Sequence, residues 1–137
     1  MPQAKVLPYH REVAAHETAV SDSFHEALLV DRRGFVREGA YSNIFWVEKG
    51  VLWTPGEGML PGITRAAVLR IAKQLQLPVR FSLPTKKRLI GADEVFLTRS
   101  TAGVVPVVRI ESHAIGSGKP GSVTVRLRMA YEKAVRF

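Results

Sequence analysis

The stretch Leu29–Ala72, LVDRRGFVREGAYSNIFWVEKGVLWTPGEGMLPGITRAAVLRIA, decides the fold. Asn43 to Val47 is rich in β-formers, and Glu48-Lys49-Gly50 turns the chain back into Val51 to Thr54, a hairpin signal. Upstream, the apolar run Ala27 to Val30 ends at Asp31-Arg32-Arg33-Gly34, a turn, and a strand resumes at Phe35-Val36. Pro55 to Pro61, with two prolines and two glycines, reads as loop. From Thr64 to Leu75 the apolar positions Ala67, Val68, Ile71, Ala72 and Leu75 recur at helical spacing, which predicts an amphipathic helix.

Outward from this stretch, Tyr9 to Val20 reads as a first helix, with Pro8 suited to its first turn. Beyond it, Pro78 to Phe81 is a short strand, Thr85 to Ile90 one or two helical turns, and Glu94 to Thr98 a strand. Val104 to Ile110 reads as one β-branched strand broken by Pro106, which puts the proline at an edge or a bend. A last helix from Val123 lines up Val123, Leu127, Ala130, Tyr131 and Ala134. Strands and helices alternate without repeats, so the class is α/β or mixed α+β, one domain over residues 1–137 built on a curled mixed sheet.

Composition narrows the function classes. Apolar residues make up 46% and charged residues 23% of the 137, ordinary for a globular domain. Cysteine is absent, which removes disulfides and thiolate zinc sites and suits a reducing, cytoplasmic setting. No run of about 18–20 apolar residues exists to span a membrane. His10, His16, His25 and His113 share no ligand spacing, and no GxSxG elbow marks a serine hydrolase. A net charge of +8 attracts anions, but the basic residues are scattered without aromatic platforms, so no nucleic-acid partner is expected.

Two places in the deciding stretch carry polar groups that a scaffold does not need. Glu38-Gly39-Ala40-Tyr41-Ser42-Asn43 forms a turn between strands. Leu60-Pro61-Gly62-Ile63-Thr64 opens a helix, whose first N–H groups are unpaired and lie at the positive end of the dipole. An anion binds there readily, with the Thr64 hydroxyl adding a donor and Gly62 allowing close approach. A plain helix start with Thr64 as N-cap uses the same residues. Lys5 by itself is one surface lysine among many, and Ser100-Thr101 a polar strand end.

In order along the chain, a lysine with a tyrosine four residues on, then EALLVDRRGFVREGAYSNIFWVEKGVLWTP, LPGITRAAVL and ADEVFLTRSTAGVVPV, resembles the second half of the class IV (fold-type IV) aminotransferases. These are pyridoxal-phosphate enzymes: branched-chain and D-amino-acid aminotransferases and aminodeoxychorismate lyase. The resemblance implies a pseudo-barrel of mixed sheet with flanking helices, pyridoxal 5'-phosphate as cofactor, and amino-group transfer between an amino acid and a 2-oxo acid. It gives Lys5 the role of the lysine that joins the cofactor and shuttles the proton, and Glu38 that of the carboxylate facing the ring nitrogen. Tyr9 corresponds to a phenol on the ring oxygen, Leu60 to an apolar residue against the ring, and Asn43 to a brace for the Glu38 turn. Ile63, Thr64 and Ser100 correspond to the phosphate site, and the backbone through Thr101 and Ala102 to the substrate carboxylate site.

Three positions depart from the family pattern: Pro8 stands where an asparagine is usual, Arg99 where relatives have a small residue, and Gly103 where many transaminases carry glutamate. Gly-Val-x-Pro-Val from Gly103 is similar to some lyase members, which keeps pyruvate elimination as an alternative activity. A non-catalytic or truncated domain of the same fold is the other. Family members carry a first domain ahead of the lysine, so the resemblance implies a C-terminal domain without its N-terminal companion, and a homo-oligomer.

Overall fold

A computed structural model describes residues 3–8 and 26–135. The expected helix over Tyr9 to Val20, and with it Tyr9, lies outside the described residues. The mixed architecture resolves into two five-stranded sheets and a helical layer. The first sheet runs β10-β9-β1-β2-β3, from β1 (Gln3–Pro8), β2 (Glu26–Val30), β3 (Val36–Gly39), β9 (Arg109–Ile110) and β10 (His113–Ala114). The second runs β6-β5-β4-β7-β8, from β4 (Asn43–Glu48), β5 (Val51–Thr54), β6 (Val79–Phe81), β7 (Glu94–Arg99) and β8 (Gly103–Val107). The helices are α1 (Ile63–Gln74), α2 (Lys86–Ile90) and α3 (Ser122–Ala134).

Alternation along β4 and β7 explains the layering. Ile44, Trp46, Val95 and Leu97 face the first sheet and pack with Ala4, Leu28, Val36 and Ile110. Phe45, Val47 and Phe96 point the other way, onto Val68, Ile71 and Ala72 of α1 and Leu127 of α3. Both faces of β4 are therefore buried, which is why it reads as a continuous apolar run rather than an alternating one. Phe45 and Phe96 stack with ring centroids 4.9 Å apart across the β4–β7 pair. Each such fully buried side chain stabilises the fold by about 1.5–3 kcal/mol.

The hairpin between β4 and β5 has Lys49 at φ 49° and Gly50 at φ 78°, the positive pair that matches the strand twist. Thr85 caps α2 by accepting the Arg88 N–H at 3.2 Å. Two expectations need correction. The segment from Val104 to Ile110 is not one strand: β8 ends at Val107, and after Val108 the chain changes sheets to become β9 beside β1. Pro106 does sit on an edge strand, where its missing N–H costs no ladder bond. Glu38 and Gly39 belong to β3 rather than to a turn, because both pair with β2. Only residues 40–42 turn, and in turning they carry the chain from the first sheet to the second.

Candidate functional site

The crossing from β3 to β4 holds two polar side chains side by side. Glu38 closes the first sheet and Asn43 opens the second, and both are buried. Gly39 N–H donates to Ser42 O at 2.9 Å, and the Ser42 hydroxyl donates to Glu26 Oε2 at 3.2 Å, which pins the turn. Asn43 Nδ2 donates to Leu60 O at 2.7 Å, and Leu60 N–H donates to Glu38 Oε1 at 3.4 Å. Both strands thus grip the loop that leads into α1.

That helix begins at Gly62, not at Thr64. Gly62 has the extended dihedrals of an N-cap, no side chain caps the end, and no acid lies in the first turn. The first intrahelical bond is Ala66 N–H to Gly62 O at 3.1 Å, so the amides of Ile63 and Thr64 precede the ladder. Thr64 is buried within the first turn, its hydroxyl 3.5 Å from the Tyr131 hydroxyl. A Cβ at Gly62 would run into Asn43 Oδ1, so glycine is needed for the close approach and not for its dihedrals. By contrast, α3 is capped from β7. Glu94 accepts the N–H groups of Val123 at 3.2 Å and Thr124 at 2.7 Å, and the Thr124 hydroxyl at 2.8 Å.

These elements wall a cavity of about 670 Å³. Glu38, Asn43, Leu60, Ile63, Thr64, Ser100 and Thr101, drawn from three separate places in the chain, all line it. Ala40, Tyr41, Ser42, Pro61, Gly62, Thr98 and Arg99 complete the wall; Gly62 was expected at the anion site, whereas Thr98 and Arg99 carried no site role. Pocket-facing polarity at a strand end was the one available signal for Thr98 and Arg99. Leu60 and Ile63 are 71% and 84% exposed, an apolar rim rather than core. The Thr98 hydroxyl is buried in the wall and has no hydrogen-bond partner among the described residues, which leaves it able to meet a polar guest.

Lys5 and Ala102 are not among the cavity-lining residues. Lys5 is half-buried on β1, and the register relates it to Glu38. Lys5 pairs with Ala27 and Glu38 with Leu29, two residues along the same strand, so both side chains stand on one face of the sheet. Two strand spacings across and two residues along separate their Cα atoms by roughly 12 Å, a gap suited to a lysine, a six-membered ring and a glutamate in line. Ala102 follows the β7–β8 turn and is exposed. Among the described residues no group of side chains is arranged to hold a metal ion, and no helix is long and apolar enough to cross a membrane.

Comparison with known proteins identifies the family of the fold. The sequence model of the family amino-transferase class IV matches residues 1–110. The probable branched-chain-amino-acid aminotransferase of Thermotoga maritima is 42% identical over 113 residues, covering 81% of this chain and 41% of its own length. The branched-chain-amino-acid aminotransferase of Escherichia coli K12 is 38% identical over 110 residues, covering 79% and 36%. The solved T.th. branched-chain amino acid aminotransferase, complexed with N-(5'-phosphopyridoxyl)-L-glutamate, superposes with a TM-score of 0.94 at 35% identity, over 98% of this chain and 51% of that one. The chain belongs to the class IV aminotransferase family. It spans between 36% and 51% of the length of these relatives.

Proposed function

We propose that this chain forms the cofactor-binding domain of a pyridoxal-phosphate-dependent aminotransferase, acting between an amino acid and a 2-oxo acid. The observation that carries the reading is the convergence of a buried carboxylate, an uncapped helix start and two strand-end hydroxyl residues on one cavity, with a lysine on the same sheet face as the carboxylate. The residues fit the cofactor on the structure's own terms. The partnerless Thr98 hydroxyl and the glycine-cleared approach at Gly62 suit a phosphate, and Glu38 suits a protonated pyridine nitrogen.

Bound there, pyridoxal phosphate supplies an electron sink for the carbon bearing the amino group. In this reading the amides of Ile63 and Thr64, with the Thr64 and Ser100 hydroxyls, donate to the phosphate, where the dipole favours negative charge. Glu38 holds a proton on the ring nitrogen, and Asn43 braces Glu38 through the Leu60 loop. Leu60 covers the ring, and Tyr9 takes the ring oxygen. Lys5 would hold the cofactor through its amine and would serve as the base that moves a proton at the substrate Cα. The backbone at Thr101 and Ala102 receives the substrate carboxylate.

The test is an absorbance scan on adding pyridoxal phosphate. A band near roughly 410–430 nm that is lost in Lys5→Ala supports the reading. No band, or one indifferent to that change, leaves a domain of the same fold without the chemistry. The apolar rim at Leu60 and Ile63 supports a homo-oligomer, which sedimentation as a monomer at micromolar concentration refutes. A cytoplasmic setting rests on the cysteine-free composition, and cell fractionation tests it.

A second reading is aminodeoxychorismate lyase, favoured by Gly103. Its φ of +71° and the Tyr131 ring, 2.8 Å from where a Cβ would stand, leave no room for the glutamate of many transaminases. Release of pyruvate and 4-aminobenzoate without an amino acceptor identifies that activity.

A further inference from the structure

Arg99 is the last residue of β7 and pairs with Gly103. Strand alternation sends it to the side of Val95 and Leu97, toward the first sheet, whereas Thr98 shares the helix-side face with Phe96. Arg99 lines the cavity together with the start of α1. Five N–H donors are fixed in its planar fork, yet none makes a hydrogen bond with a described residue. Nε is buried without a partner, and the nearest carboxylate oxygen, Glu26 Oε2, stands 3.9 Å from Nη1. The oxygens of Glu26 already accept the Ala27 N–H at 2.9 Å and the Ser42 hydroxyl at 3.2 Å. Glu26 thus holds the arginine loosely in place without satisfying it. An arginine fork lining a cavity in this condition is complementary to a carboxylate, which accepts two parallel N–H bonds.

We infer that Arg99 forms a second anion subsite in the cavity and is a specificity-determining residue, selecting substrates that carry a side-chain carboxylate besides the one on Cα. This rests on the cavity being the site for an amino acid or 2-oxo acid. Arg99 comes from a different element than the helix start and stands on the opposite strand face from Thr98, so its fork is a second set of donors in the cavity besides those assigned to the phosphate. A dicarboxylic substrate meets it with a carboxylate; a substrate ending in a methyl group leaves Nε buried and unmet.

Calorimetric titration with glutarate and valerate tests this, because the two acids share a five-carbon chain and one carboxylate and differ only at the far end. The titrations use the chain loaded with pyridoxal phosphate and the chain without it. Glutarate should bind about tenfold tighter than valerate, and Arg99→Ser should erase the preference while leaving valerate affinity within about twofold. Arg99→Lys, which keeps the charge without the fork, should retain part of the preference and serves if the serine variant does not fold. Equal binding of the two acids by the parent overturns the inference. So does a serine variant that loses stability, or loses affinity for both acids alike, with the preference intact. A preference present without the absorbance band refutes the cofactor reading alone, and a band without the preference refutes Arg99 alone.

Discussion

The contact between Gly62 and Asn43 offers a sharp test of how the site is held. Gly62 has φ −83° and ψ 148°, where alanine is unstrained, so Gly62→Ala probes space and not backbone freedom. The new Cβ would lie inside the 3.0 Å that real Cβ atoms keep from Asn43 Oδ1. Relief requires Asn43 to retreat by on the order of 1 Å, which breaks the 2.7 Å bond from its Nδ2 to Leu60 O. Losing that bond costs about 1 kcal/mol, and about 1–3 kcal/mol if the buried amide finds no other partner. Removing a glycine from the unfolded chain offsets about 0.4–1 kcal/mol of this. The single variant should therefore be destabilised by about 1 kcal/mol, a fall of about 3–5 °C in Tm for a chain of this size. In an Asn43→Ala background the clash and the bond are both gone, so Gly62→Ala should stabilise by about 0.4–1 kcal/mol. Urea denaturation of the four proteins gives the coupling, expected at about 1–2 kcal/mol. Additive costs, with Gly62→Ala equally harmful in both backgrounds, refute the claim that this glycine exists to clear Asn43.

Glu94→Ala should cost about 2–3 kcal/mol by urea denaturation, since it strips the first turn of α3 of the acceptor for two amides and a hydroxyl; Glu94→Gln, which keeps one acceptor oxygen, should cost less. Stability should also fall in acid through Glu48. The Arg88 guanidinium hydrogen-bonds its carboxylate at 2.8–3.2 Å and holds it below the ordinary glutamate value of 4.5. A folded-state pKa below the unfolded one means this contribution is complete above the unfolded value and is lost as pH drops through the folded one. Arg88→Met, which keeps apolar contact with the Trp46 and Trp53 rings that Arg88 now covers, should flatten that part of the curve on the acid side of the ordinary glutamate value. An unchanged acid slope in that variant assigns the effect elsewhere.

Short-range signals were legible in the chain itself. The Lys49-Gly50 turn, the apolar run of β4 and the spacing of Val68, Ile71 and Ala72 each act within a few residues, and each appears where its pattern points. The misplacements share one cause. The chain breaks at Val108 between two strands because two sheets compete for the same β-branched segment, and β-propensity is equal for both. Glu38 reads as a turn residue beside Gly39, yet pairing with β2 draws both into a strand. Thr64 is the better intrinsic N-cap, but packing buries it near Tyr131 and leaves the cap to Gly62. Family likeness named half of the residues that line the cavity. It did not mark the Thr98 hydroxyl or the donor surplus on Arg99, because an unmet hydrogen bond is a property of surroundings.

By itself, then, the order of residues determined the local conformations and the inventory of groups: a lysine, a carboxylate, a helix start and a hydroxyl-rich strand end. Local chemistry suffices for these, since turn dihedrals and amphipathic spacing are set by neighbours along the chain. Only the tertiary structure decided that the β3–β4 crossing, the α1 start and the β7–β8 turn share one cavity, that Lys5 and Glu38 stand on one sheet face, and that the Arg99 guanidinium goes unsatisfied. Those facts depend on strand register and sheet-on-sheet packing, where burial of Ile44, Trp46 and Leu97 outweighs anything the polar residues prefer locally.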